Sequence, residues 1–190
     1  MSEQQHLLSR LDTLESEAEI RRVISQYMHL CDDLRSEDSV TQIGQLFTCN
    51  AEWAGIGELY AERLGNYKGR AAIEAMMRKY VTHPAHFRIN THYLSSEFIY
   101  LNEINEATGR WKMLQLSTFN NGQSHLNGAE LIIEFRRENN IWLINHFTTR
   151  NLFSRPIDYW HSPVDCPYQK PNGPDKYWRW SNARYPGKKY

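Results

Sequence analysis

Apolar positions recur with a helical period in the first half of the chain and with a strand period in the second. Leu7, Leu8, Leu11 and Leu14, then Ile20, Val23, Ile24, Tyr27 and Cys31 at i, i+3, i+4, i+7 and i+11, predict a long or once-broken helix with one apolar stripe. Ser36-Glu37-Asp38-Ser39 supplies N-cap chemistry for a short second helix carrying Val40, Ile43, Leu46 and Phe47. Residues 51–56 read as a strand, followed by a loop containing Gly65. Ile73, Met76, Met77, Tyr80 and Val81 then define a third helix, entered at Lys68-Gly69-Arg70. Beyond it, 89–101, 107–119, 129–137 and 141–153 read as strands rich in β-branched and aromatic residues. They are separated by turns at 102–106 and 120–122 and by a tight hairpin at Glu138-Asn139-Asn140. Helices first and a long antiparallel sheet after them predict an α+β fold with the helices on one face.

At Pro156 the texture changes. Pro156, Pro163, Pro167, Pro171, Pro174 and Pro186 alternate with Tyr159, Trp160, Tyr168, Tyr177, Trp178 and Trp180. Prolines at this density forbid a regular helix or a central strand, while so many aromatics need a surface to cover them. The expected organisation is a folded domain over 1–155 and an extended arm over 156–190, wrapped on its own domain or on a neighbouring subunit.

Charge narrows the partners. Lys+Arg and Asp+Glu both number 22, so the 190-residue chain lacks the basic excess that nucleic acid or an anionic membrane selects. No apolar run approaches the ~20 residues of a membrane span, and the first residues do not resemble a signal peptide. Cys31, Cys49 and Cys166 form neither a disulfide framework nor a metal-binding pair, which predicts reduced thiols in a cytoplasmic protein. His83 and His86 flank Pro84 without a third ligand at metal spacing, and no phosphate loop or serine-hydrolase elbow is present. Neither a metal nor another cofactor is predicted.

Four spots carry a family resemblance: residues 20–27 followed by Asp32, Leu46-Phe47 with Ala51-Glu52-Trp53, Thr91-His92-Tyr93, and 108–111 with Ile141-Trp142. In this order they resemble the SnoaL-like branch of the NTF2-like superfamily. Scytalone dehydratase, hexachlorocyclohexane dehydrochlorinase and the bile-acid 7α-dehydratases belong to that branch. The resemblance spans roughly 17–153. It implies a cone in which N-terminal helices pack on a strongly curved antiparallel or mixed sheet around one pocket. It also implies homo-oligomers, trimers more than dimers, and a cofactor-independent lyase acting on a small hydroxylated aromatic or polycyclic substrate.

The resemblance places a catalytic His–Asp dyad at His92 and Asp32, 60 positions apart on a strand and at a helix end. Elimination needs a base with a pKa near 7 at an acidified C–H bond, and a carboxylate that fixes the imidazole's tautomer and stabilises its cation. Tyr27 is the third candidate. A phenol can donate to a developing oxyanion, yet Tyr27 also lies on the apolar stripe and could be core. It stands about 140° around an ideal helix from Asp32, so the two meet in one pocket only where the helix ends.

Trp111, Met113, Gln115 and Ser117 share one strand face with Phe119 and, with Trp53 and His146, complete the candidate substrate-binding set. Gln115 falls where the bile-acid dehydratases carry an acidic residue, and Ser117 where scytalone dehydratase has its second histidine, which leaves the general acid unassigned. That face reads equally as pocket wall or solvated strand, and His146 equally as pocket or subunit contact. The alternatives to a lyase are a cofactor-free isomerase or C–C lyase on the same base, a ligand-binding protein, and a non-catalytic β subunit of a ring-hydroxylating dioxygenase.

Overall fold

The computed structural model describes residues 2–157. All but the first two residues of the Pro/aromatic arm lie outside the described residues. In chain order the elements are α1 (Glu3–Asp32), α2 (Glu37–Gln45), β1 (Phe47–Ile56), α3 (Glu58–Arg63), β2 (Asn66–Lys68), α4 (Arg70–Arg78), β3 (Phe87–Glu103), β4 (Glu106–Phe119), β5 (Ser124–Glu138) and β6 (Ile141–Ile157). One sheet runs β2-β1-β6-β5-β4-β3. All neighbours are antiparallel except β1 and β6, which pair in parallel. The helices cover one face of this mixed sheet, which does not close into a barrel and forms the expected α+β cone. Among the described residues, no helix is long and apolar enough to cross a membrane.

Local chemistry sets the helix ends. Ser2 accepts from Gln5 N and Gln5 answers with its side chain, a complete capping box for α1. Ser36 caps α2 by accepting from Ser39 N. α1 is one unbroken helix, but its leucine stripe splits in two. Leu7, Leu8, Leu11 and Leu14 are 50–62% exposed, whereas Ile20, Ile24 and Tyr27 are buried. The first turns thus run past the region where the sheet can cover them.

Several boundaries differ from the sequence expectation. Leu46 is the C-cap of α2 and Phe47 opens β1 instead of closing the helix. Phe47 pairs with Ile144 and is fully buried, so sheet pairing overrides the helical period. The expected Gly65 loop holds α3 and β2. Gly55 permits this, since a Cβ there would lie 2.5 Å from the Tyr60 carbonyl oxygen. α4 stops at Arg78, and Tyr80 and Val81 follow in a tighter turn with i→i−3 bonds to Met77 and Arg78. β5 begins at Ser124, five residues earlier than 129, because Ser124 to Gly128 carries too little apolar signal to read as a strand. β6 reaches Ile157 and includes Pro156, which pairs with His125; β1 follows β6 only to Arg150, so among the described residues Pro156 has no strand on its other side.

The core joins α1, α2 and α4 to the inner sheet face through Ile20, Ile24, Val40, Ile43, Ile73, Leu131, Ile133 and Trp142, all at 1% exposure or less. On the outer face, Tyr93 and its cross-strand partner Leu114 stay 55% and 46% exposed.

Candidate functional site

Between the helices and the concave sheet lies a cavity of about 310 Å³, within the size range of small-ligand pockets. The C-terminal turn of α1 forms one wall. Tyr27 and Cys31, four residues apart, share a face, and Asp32 is the last helical residue before the Asp33 C-cap (φ −116°, ψ 46°). Because the helix ends there, Asp32 lines the same cavity as Tyr27 despite their angular offset.

Asp32 Oδ1 meets His92 twice. It lies 2.6 Å from Nδ1 of the imidazole and accepts the His92 backbone N–H at 3.1 Å. The side chains are 11% exposed for His92 and 21% for Asp32. With Nδ1 so engaged, Nε2 is the ring nitrogen left to the cavity that His92 lines.

Tyr27 is held from above and behind. Trp53 Nε1 donates to its hydroxyl at 3.0 Å, and its ring packs on Phe47 and Phe147 at centroid distances of 5.7 and 5.0 Å. Burial pushes the hydroxyl well above the usual phenol range, and the adjacent Cys31 adds to the shift. The oxygen accepts from Trp53, so the phenol keeps its proton to donate. Burial likewise pushes the Cys31 thiol up to about 12, helped by the Asp32 charge and opposed by the Tyr27 hydroxyl. At pH 8 that leaves only about one Cys31 in 10⁴ as thiolate. Cys31 is therefore expected to alkylate far more slowly with iodoacetamide in the native protein than exposed Cys49. Peptide-resolved mass spectrometry checks this; equal labelling would contradict the raised Cys31 thiol.

The sheet floor carries a chain of amides. Ser154 Oγ donates to Asn127 Oδ1 (2.6 Å), Asn127 Nδ2 to Gln115 Oε1 (3.3 Å), Gln115 Nε2 to Asn90 Oδ1 (2.8 Å) and Asn90 Nδ2 to the Cys31 carbonyl (3.2 Å). The sequence reading named only Gln115 among these. Asn127 and His125 stand two residues apart on one strand face, a period-2 signal in the stretch between the expected turn at 120–122 and the expected strand at 129–137.

Of the other expected substrate contacts, Trp53, Met113 and Gln115 line the cavity, whereas Trp111, Ser117 and His146 do not. Trp111 is on the expected face but beyond the cavity's end, in the core, with Nε1 donating to Glu97 at 3.2 Å. Ser117 is buried beneath the floor and donates to Asn90 Oδ1 at 3.1 Å. His146 is turned away by a bulge. Ile144 pairs with Phe135 and His146 with Glu134, which leaves Asn145 as an extra residue on β6. Trp142 and Ile144 point inward before it, Phe147 and Thr149 after it. His146 would face the cavity only under an uninterrupted period of two, and a bulge shifts that period by one. Among the described residues, no group of three or more His, Cys, Asp or Glu is placed to hold a metal ion.

Helices over a curved mixed sheet, a cavity between them and a histidine–carboxylate pair in its wall describe an α+β cone. The profile of the SnoaL-like domain matches residues 12–148, and the chain belongs to that family. The search of curated protein sequences found no match. Among solved structures, the chain is similar to a hexachlorocyclohexane dehydrochlorinase, LinA type 2, with 21% identity, a TM-score of 0.67, and coverage of 83% of this chain and 99% of that one. It is also similar to an NTF2-like protein with a cystatin-like fold from Novosphingobium aromaticivorans, with 26% identity, a TM-score of 0.64, and coverage of 80% and 92%. A candidate scytalone dehydratase from the same organism shows 15% identity, a TM-score of 0.63, and coverage of 80% and 97%.

Proposed function

We propose that the protein is a lyase that needs no cofactor, eliminating water or another small group from a hydroxylated aromatic or polycyclic substrate. The observation that carries this reading is the 2.6 Å contact between His92 Nδ1 and Asp32 Oδ1 in the wall of the cavity. His92 Nε2 removes a proton from a carbon activated by a neighbouring carbonyl or aromatic ring. Asp32 holds the ring in the tautomer with a free Nε2 and faces the positive charge as it forms. Tyr27, kept neutral by burial, donates to the oxygen on which negative charge develops. Gln115, Asn90 and Asn127 offer further hydrogen bonds from the floor, and the apolar walls from Trp53, Met113 and Phe147 suit a ring system. Among its structural relatives, the dehydrochlorinase is by name an eliminating enzyme.

Nitrobenzisoxazole tests the base without knowledge of the native substrate, because its ring opens when a base removes one C–H proton and a phenolate leaves unaided. The purified protein is expected to open it faster than free imidazole at equal concentration. A rate no higher than imidazole's would favour the non-catalytic reading, a scaffold of the dioxygenase β-subunit kind.

A further inference from the structure

Loss of water moves two protons. One leaves carbon, and a second must reach the departing hydroxyl, because hydroxide is a poor leaving group. His92 takes the first, and the cavity must supply the second from another side chain.

The groups lining the cavity leave few choices. Tyr27 and Cys31 hold their protons tightly, as shown above. Burial also raises Tyr60 and Tyr80 above the usual phenol range. Arg35 and Arg63 do not exchange a proton under any working condition. Asp32 is committed to His92. Two histidines remain, His86 and His125.

Their surroundings separate them. The His86 ring is wedged edge-on among Tyr80, Phe87 and Phe119, with centroids at 5.3, 4.5 and 5.8 Å. His125 is half-buried on β5, and among the described residues its aromatic neighbour is Phe119, at 5.4 Å and 90°. No side chain among the described residues bonds its ring nitrogens. Register fixes its place relative to the base. His92 pairs with Gln115, Gln115 with Asn127, and His125 stands two residues from Asn127 on the same face, opposite Ser117. Two strand spacings across and two residues along put the backbones of His92 and His125 about 12 Å apart. Their side chains line one cavity from two sites on its floor, with room for a small substrate between them.

We infer that His125 is the general acid of this site, delivering a proton to the leaving hydroxyl while His92 removes one from the adjacent carbon. The assignment rests on the lyase reading above. In the step, the C–H electron pair becomes the new C=C bond and the C–O bond breaks. The His125 imidazolium gives up its proton to form water, and His92 ends protonated; exchange with solvent restores both.

β-Hydroxypropiophenone and β-chloropropiophenone test this together. Both lose the same proton and yield phenyl vinyl ketone, but chloride departs without a proton. His125→Gln is expected to slow the hydroxy substrate by about 10²- to 10⁴-fold more than the chloro substrate, and the chloro turnover that remains shows that the variant is folded. His92→Ala is expected to slow both. If His125→Gln slows both substrates alike, or neither, or if His86→Gln gives the selective loss instead, the assignment to His125 is overturned while the base stands. If His92→Ala changes neither rate, or the wild-type protein turns over neither compound, the lyase reading falls and the assignment with it.

Discussion

His92→Ala is expected to lower the rate of nitrobenzisoxazole opening by about 10²- to 10⁴-fold, the usual contribution of a positioned base. The ring is 11% exposed and bonded to Asp32, so the thermal midpoint is measured beside the rate to show that the variant stays folded. Asp32→Asn is a sharper test of the pair. The amide keeps the size of the carboxylate and can still accept the His92 backbone N–H. It carries no charge to meet an imidazolium, and its NH2 can turn toward Nδ1 and favour the wrong tautomer. A loss close to that of His92→Ala would show the two acting as one unit; separate effects that multiplied in the double variant would show independence. Full activity in Asp32→Asn would leave the 2.6 Å contact a structural hydrogen bond and nothing more.

The largest expected change in stability comes from Phe47→Ala, a loss of about 3–5 kcal/mol. Phe47 is fully buried at the junction of α2 and β1, its ring lies 5.7 Å from that of Tyr27, and its strand partner is Ile144. Truncation leaves a hole bounded by a helix end and two strands, which cannot collapse without moving the β1–β6 pairing. The Phe47 carbonyl, which accepts Nε and Nη2 of Arg70 at 3.1 and 2.5 Å, is untouched by the substitution. The change therefore reports packing. Urea denaturation monitored by circular dichroism measures it; a loss below about 1 kcal/mol would mean that the site repacks freely. Removing one support of the Tyr27 ring should also loosen the donor in the cavity, so catalysis should fall along with stability.

Elements with a strong period were legible in the sequence: α1 from its stripe, α2 from its cap residues, and the long strands from their β-branched and aromatic content. The meeting of His92 with Asp32 was not legible from residue types, since it depends on α1 ending at Asp32 and on the path of β3. Family resemblance pointed to it. His146 was misplaced because a bulge of one residue at Asn145 leaves no mark in composition. Asn90, His125, Asn127 and Ser154 were overlooked for a different reason. A cavity floor is polar, so the stretch holding His125 and Asn127 lacks the apolar alternation by which a strand is recognised, and Asn90, inside an expected strand, carries no residue-type mark of a pocket.

The amide chain on the floor has a direction. Every donor from Ser154 through Asn127, Gln115 and Asn90 points the same way, toward the Cys31 carbonyl beside Asp32. No member can reverse its amide without setting donor against donor or oxygen against oxygen at its neighbour. The four strands of the floor thus share one polarity rather than four independent orientations, and hydrogen bonds aligned in this way strengthen one another. A ligand that turned over any one amide would have to turn the row, so the floor presents a fixed pattern of donors and acceptors that a substrate must match.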